Sequence, residues 1–410
     1  MGSTTALSLH TFGGVSLEAL AAHYGTPLYV YDLARVKQDF LRFQRAFQNL
    51  KFVAYSLKAN PNRWLLKTLE SLGAGADAVS GGEVAQALGA GIPPERIVFA
   101  GPAKTPEELD LAAQANIFAI HVENEGEAEY LAQRWPGTAV GFRVNPGIDP
   151  RTRPEIATGL PESRFGLPLE EVPRLLKTYG HRLRIRGLHV HIGSQIREAQ
   201  AYLEALNRVK PLLDLVPQAE YLDLGGGFAV DYDQDDDPWI TEILATLKPW
   251  VERLPVPVIL EPGRAVVARS GLLLARVLYI KRMGHRTYAL LDAGMTDLVR
   301  PALYGVRHRV QRVGVNDDPL ETYTLAGPVC ENTDVFAEDV SLPRLKPGDL
   351  VVFRDTGAYG FSMACNYNLR ARPAEVAVEE GRAALIRPRE PLGGFLMGEP
   401  ATLEFHPVPS

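Results

Sequence analysis

Between residues 50 and 265, short runs rich in β-branched and aromatic residues alternate eight times with stretches of helical period. The runs are KFVAYS, ADAVS, RIVFAG, IFAIHV, AVGFRVN, IRGLHVHIG, YLDLGGG and VILEPG. Eight strand–helix repeats over about 220 residues have the count and size of an α/β (β/α)8 TIM-type barrel, whose reactive groups gather where the strands end. The unusual residues of this chain stand at those ends: Lys58, Ser80-Gly81-Gly82, Asn145, His191 to Ser194, Gly225-Gly226-Gly227, and Glu261-Pro262-Gly263-Arg264.

After about residue 268 the texture changes to strands separated by turns, as in GLLLARVLYIKR, TYALLDAG, YTLAGPVC, DLVVFRDTGAYG and PAEVAVEEGRAALIRP. This reads as an all-β domain. The early run PLYVYD (27–32) precedes the barrel and is expected to join that domain. The expected division is therefore a barrel over 34–268 and a β domain made of 1–33 and 269–410.

The 410-residue chain is 46% hydrophobic and 22% charged, with a net charge of −6. That balance suits an ordinary globular protein and gives no general attraction to nucleic acid or anionic membrane, so the partner is expected to be a small molecule or another protein. No apolar run reaches about 18 residues and no basic segment leads into an apolar one at the start, which makes the cytoplasm the expected location. Cys330 and Cys365 are too few for a disulfide framework. With no Cys/His cluster at ligand spacing, two free thiols and no metal are expected. The tract DYDQDDDPW (231–239) carries five aspartates and reads as a solvated loop, since it lacks the glycine turn of a calcium loop.

Four features bear on chemistry. In FVAYSLKANPN, Lys58 ends an apolar run that Asn60-Pro61 stops. Alone, such a lysine most simply snorkels towards a carboxylate, but desolvation at a barrel mouth would also lower its pKa and prepare it for a carbonyl. DLGGGF removes the side chains from a stretch of backbone, leaving N–H groups able to approach an anion; a tight turn is the plainer alternative. EPGR (261–264) follows the eighth strand, beside the usual phosphate site of this barrel, although an ordinary Glu–Arg pair would look the same. HVHIGSQ (189–195) puts two histidines on one strand face, where core packing is the default. Pyridoxal phosphate accounts for all four together, because it needs an amine for its aldehyde, backbone donors for its phosphate, a group on its ring face and a charge partner for its ring nitrogen. Lys58, the glycines, His191 and Glu261 match those needs in turn.

Eight segments in order, YSLKANPN, DAVSGGE, HVHIGSQI, DLGGGF, EPGR, DAGMTDLVRPALYG, GPVCENTDVF and DTGAYGFSMACNYN, make the chain resemble the fold-type III pyridoxal-phosphate decarboxylases over nearly its whole length. The resemblance implies a Schiff base of pyridoxal 5'-phosphate on Lys58, with His191 stacked on the ring and Glu261 at the ring nitrogen. It assigns the phosphate to Ser194, Gly226, Gly227, Gly263, Arg264 and Tyr359. It further implies a homodimer whose active sites cross the interface, with Cys330 and Glu331 donated by the second subunit; Cys330, or water, is then the expected proton donor. Arg264, Arg300, Tyr304, Glu331 and Tyr359 would bind a substrate carrying a second amino-acid head. The activity so implied is release of CO2 from meso-2,6-diaminopimelate to give L-lysine. Ornithine and arginine lack a distal carboxylate, which Arg300 and Tyr304 argue against. A racemase of this type would pair the ring nitrogen with arginine where this chain has Glu261. D-lysine-type or carrier-bound glutamate substrates, and an inactive regulatory paralogue, are the other readings. Members of the family usually read Cys-Glu-Ser-Gly-Asp where this chain has Cys330-Glu331-Asn332-Thr333-Asp334, so the width of the substrate pocket is the open feature.

Overall fold

The computed structural model describes residues 8–152, 158–216, 218–314 and 318–394. Strand β1 (Leu28–Asp32) leads into helix α1 (Leu33–Gln44), whose first turn is closed by the Asp32 carboxylate accepting from the Ala34 and Arg35 amides. The eight expected barrel strands then follow: β2 (Leu50–Ser56), β3 (Gly75–Ala78), β4 (Ile97–Phe99), β5 (Ala119–Val122), β6 (Ala139–Asn145), β7 (Arg184–His189), β8 (Tyr221–Asp223) and β9 (Val258–Leu260). Each is hydrogen-bonded in parallel to its successor, and β9 returns to β2, which closes the ring. A sheet without edges leaves no backbone polar group unpaired around its circumference.

Phe52, Val98, Phe118, Tyr221 and Ile259 pack into a small cluster that fills the N-terminal end of the barrel interior. Burying an aromatic or branched side chain this fully contributes about 1.5–3 kcal/mol. Towards the C-terminal end the filling becomes polar, with His121, His189, Asp223 and Glu261 all buried. The expected repeat is modified at one place. The helix after β9 is only Arg264–Val267, and α1 packs against both it and Arg63–Glu70, so a helix from before the first barrel strand helps complete the outer layer.

Beyond the barrel, β10 (Gly271–Met283) runs for 13 residues and organises the second sheet. Its first part pairs with β1 and with β15 (Leu350–Phe353), and its last part with β11 (Arg286–Leu291). β1 joins this sheet as expected, lying between β10 and β16 (Ala374–Glu379), which is paired in turn to β17 (Arg382–Arg387). Two further strands, β12 (Val310–Val313) and β14 (Val335–Pro343), escape the sequence reading. β12 is embedded in the charged run RHRVQR, and β14 carries Glu338-Asp339 at its middle, with Asp339 at φ +53°. In β12 buried Gln311 and Arg312 stand where apolar residues would mark a strand, and in β14 exposed Glu338 and Asp339 interrupt the apolar run. β13 (Leu320–Ala326) pairs with both β11 and β14, and α2 (Arg300–Tyr304) lies between β11 and β12.

The two sheets meet at the barrel mouth. The Tyr359 amide donates to the Ala59 carbonyl (2.8 Å), and the Asn60 side-chain amide donates to the Gly357 carbonyl (3.0 Å). The β-domain segment GAYG is thereby fastened beside Lys58.

Candidate active site

Lys58 follows β2 in a single 3-10 turn, Leu57–Ala59, with Leu57 and Ala59 fully buried on either side. Burying its neighbours leaves the Lys58 side chain one direction, into the barrel mouth, where it is one-third exposed. Its Nζ donates to Asp77 Oδ2 at 2.8 Å. Burial draws the ammonium down, but attraction to Asp77, Tyr359 and Glu261 outweighs it and holds the pKa above that of an ordinary lysine. The expectation of a lowered pKa is therefore corrected: desolvation is present, but three acidic neighbours overcome it. Burial and Glu261 push Asp77 up to about 6, against Lys58 and the Ser56 hydroxyl, which both donate to it.

The glycine run after β8 has the geometry of a close backbone approach. Gly225 and Gly227 stand at φ +68° and +96°, and a side chain on Gly226 would collide with the Glu261 carbonyl. Gly263 is confined in the same way by Ser56 and Ala59. The Gly226 amide donates to His191 Nδ1 at 3.3 Å, which fixes this nitrogen as the acceptor and the ring as neutral. Burial, then Lys58, keeps the His191 pKa well below its usual value. Only His189 lies within β7, its ring stacked on His121 at 4.3 Å and its Nε2 at 3.2 Å from Glu261 Oε2. His191 stands just past the strand, at the cavity wall.

Glu261 is 2% exposed. Burial raises the pKa of both it and Asp223, most strongly that of Asp223, which the neighbouring Glu261 carboxyl raises further. Asp223 is itself held by the Gly225 amide (2.9 Å). Arg264, which opens the short helix after β9, places Nη2 at 3.3 Å from Ser194 Oγ and Nη1 at 2.9 Å from Tyr232 Oη. Tyr359, at φ +56°, lays its ring under this guanidinium at 4.6 Å.

Lys58, His191, Ser194, Gly227, Glu261, Gly263, Arg264 and Tyr359 thus line one cavity of about 180 Å3, with Gly226 touching its wall through His191. Ser194, Arg264 and Tyr359 also border a second, wider cavity that holds Arg300 and Tyr304. Cys330 and Glu331 border neither of these cavities. Both are exposed, in the turn between β13 and β14, where Glu331 accepts from Tyr367 Oη at 2.7 Å. Asn332 and Thr333 adopt no positive φ, so the turn does not require the glycine usual at that place.

The sequence reading missed Asp77, Asp223, Tyr232 and His308. An aspartate between alanines in ADAVS, and another opening DLGGG, are acids inside otherwise apolar strands, and that alone marked them for interior duty. Tyr232 lay in the aspartate tract. Residues 233–236 of that tract are exposed as expected, but Asp237 is 3% exposed and Tyr232 lines the second cavity, so the solvated-loop reading holds only for its middle. Its ends are folded in by Arg269 and Arg264.

The cavity fits pyridoxal phosphate on two observations. The glycine backbone is open where a Cβ would block it, and Arg264 Nε is buried without a partner among the described residues, next to the Ser194 hydroxyl. Residues 33–268 match the family model of the pyridoxal-dependent decarboxylase, pyridoxal binding domain. The chain belongs to the pyridoxal-dependent decarboxylases. Among the relatives of this decarboxylase is a diaminopimelate decarboxylase of Aquifex aeolicus, 39% identical over 92% of each chain. Another is that of Pseudomonas aeruginosa, 37% identical over 94% of this chain and 95% of the relative. The crystal structure of diaminopimelate decarboxylase from Helicobacter pylori complexed with L-lysine superposes with a TM-score of 0.87 at 36% identity. That likeness covers 93% of this decarboxylase and 98% of the other chain.

Proposed function

We propose that this decarboxylase releases CO2 from the D-centre of meso-2,6-diaminopimelate to give L-lysine. The observation that carries the reading is the convergence of Arg264 and Arg300 on a cavity that continues from the Lys58 site, two guanidiniums suited to a carboxylate remote from the reacting carbon. Relatives named as diaminopimelate decarboxylases, one of them solved with L-lysine, support it.

In this reading Lys58 would hold the cofactor covalently, His191 would lie against its ring, and Glu261 would serve as the charge partner of its ring nitrogen. Ser194, Gly226, Gly227, Gly263, Arg264 and Tyr359 hold the phosphate. Pyridoxal phosphate, when bound, supplies the electron sink for the bond to the departing CO2. Glu261 would place a carboxylate where that sink needs a charge partner, with His189 Nε2 3.2 Å from its Oε2. Lys58, a cation by its setting beside Asp77, is the amine that would hold the cofactor and a group able to release and take up a proton at Nζ. Arg264, Arg300, Tyr304 and Tyr359 orient the distal carboxylate, while Glu331 of the partner subunit takes the distal ammonium. Cys330 of the partner subunit, or water, would return the proton to Cα.

That division of labour requires a homodimer, and Leu303, Tyr304, Tyr367 and Leu369 are apolar side chains left exposed beside these residues. It also implies two units, 34–268 for the cofactor and 1–33 with 269–410 for substrate and dimer contacts; residues 1–7 and 395–410 lie outside the described residues. A small amino acid with two zwitterionic heads as substrate suits the cytoplasm. Among the described residues no helix is long and apolar enough to cross a membrane.

Rates of CO2 release from meso-diaminopimelate, D-lysine, ornithine and arginine test the reading. The expected result is a preference in kcat/KM for meso-diaminopimelate of at least about a hundredfold, since a site built around a charged group rejects analogues lacking it. Preference for any of the other three would overturn it.

A further inference from the structure

Arg300 is 4% exposed and has two contacts that the proposed chemistry does not use. Its Nη1 lies 2.9 Å from His308 Nε2, and its guanidinium carbon sits 4.5 Å from the centre of the Tyr232 ring. His308 Nδ1 is 2.8 Å from the Arg354 carbonyl oxygen. A carbonyl only accepts, so Nδ1 carries the hydrogen and Nε2 presents a lone pair to Arg300. The imidazole is thereby committed to one tautomer and to the neutral form, because a second N–H would point at a guanidinium. Burial, with Arg300 next, pushes the His308 pKa down to about 3, in keeping with that geometry.

Tyr232 completes the arrangement. Its hydroxyl accepts from Arg264 Nη1 at 2.9 Å while its ring face lies against Arg300, and the His308 ring meets it edge-on at 5.1 Å. Two like charges bordering one cavity repel each other, and each buried guanidinium needs its donors occupied. A tyrosine between them offers a lone pair to one and a π face to the other, which reduces both costs without neutralising either charge.

We infer that Tyr232 and His308 are positioning residues that hold Arg264 and Arg300 as a paired reader for a carboxylate remote from the reacting carbon. Resting on the substrate reading above, this makes the aspartate tract a specificity element, for it delivers Tyr232 to the cavity. His308 borders neither cavity and Tyr232 lines the second one; the role assigned to each runs through an arginine.

The test compares two ligands of the cofactor-loaded enzyme, L-lysine, which has a carboxylate, and cadaverine, the same diamine without it. Binding is followed by the change in cofactor absorbance, in wild type, His308→Ala and Tyr232→Phe. The expected result is that His308→Ala weakens L-lysine about 10- to 100-fold and Tyr232→Phe about tenfold, with cadaverine changed less than about threefold. His308→Gln, which restores an acceptor for Arg300, should recover most of the loss. Equal weakening of both ligands, or an unchanged ratio beside a carboxylate-selective wild type, would overturn the inference alone. A wild type that does not prefer L-lysine would overturn the substrate reading and the inference with it. Because Tyr232→Phe keeps the ring and removes one oxygen, it decides the matter even where His308→Ala fails to fold.

Discussion

Glu83 is a carboxyl held back from ionising by its position. Burial pushes it up to about 7 from an ordinary 4.5, although the Val79 amide donates to it at 2.8 Å. An unfolded glutamate releases its proton near 4.5, so between pH 4.5 and 7 the folded chain binds more protons than the unfolded one. Stability from this group is complete below pH 4.5 and is lost as pH rises through 7. Replacing Glu83 with Gln keeps an acceptor for Val79, and thermal unfolding across pH 4 to 8 should show a flatter profile and a gain of about 2–3 kcal/mol at pH 8. A profile that follows wild type would dismiss Glu83 as the source. Glu83 and Lys58 differ in how well sequence exposed them. The lysine was visible because a charge ended an apolar run, but its raised pKa was not, since Asp77 and Glu261 reach it from other strands.

At the scale of elements, the aspartate tract behaves as a strap. Arg269 Nε and Nη2 grip Asp237 at 2.6 and 2.7 Å, with both side chains 4% exposed, and Arg309 joins Asp235 (2.6 Å) to Asp355 (3.0 Å) in the β domain. Removing one partner of a buried pair leaves the other charge uncompensated, which costs about 3–5 kcal/mol. Asp237→Asn should lower stability by that order in denaturant titration and weaken L-lysine binding through Tyr232, whereas Asp233→Asn, at an exposed site, should change neither. Loss confined to the Asp233 variant would dismiss the strap. The eight barrel strands were legible because both faces are covered and the apolar runs are unbroken. β12 and β14 were not, because β12 buries polar side chains, the middle of β14 faces solvent, and pairing with other strands decides their state.

For the whole molecule, the proposed dimer makes a sharp prediction, because Lys58 and Glu331 would serve one site from two subunits. Lys58→Ala and Glu331→Ala should each be inactive, the first also lacking the visible cofactor band. After co-refolding, or prolonged mixing, random pairing should restore about a quarter of wild-type activity, since half the dimers would then carry one intact site. No recovery, with mixed dimers shown by mass, would count against a shared site. Sequence alone determined the barrel, the β domain, the place of β1 and the residues at the strand ends, because these depend on local pattern and on motifs a few residues long. Tertiary structure alone decided the tautomer of His308, the raised pKa of Asp223 and the setting of Tyr232 between two arginines. Each is fixed by groups far apart in the chain, whose hydrogen bonds exist only once burial has excluded water.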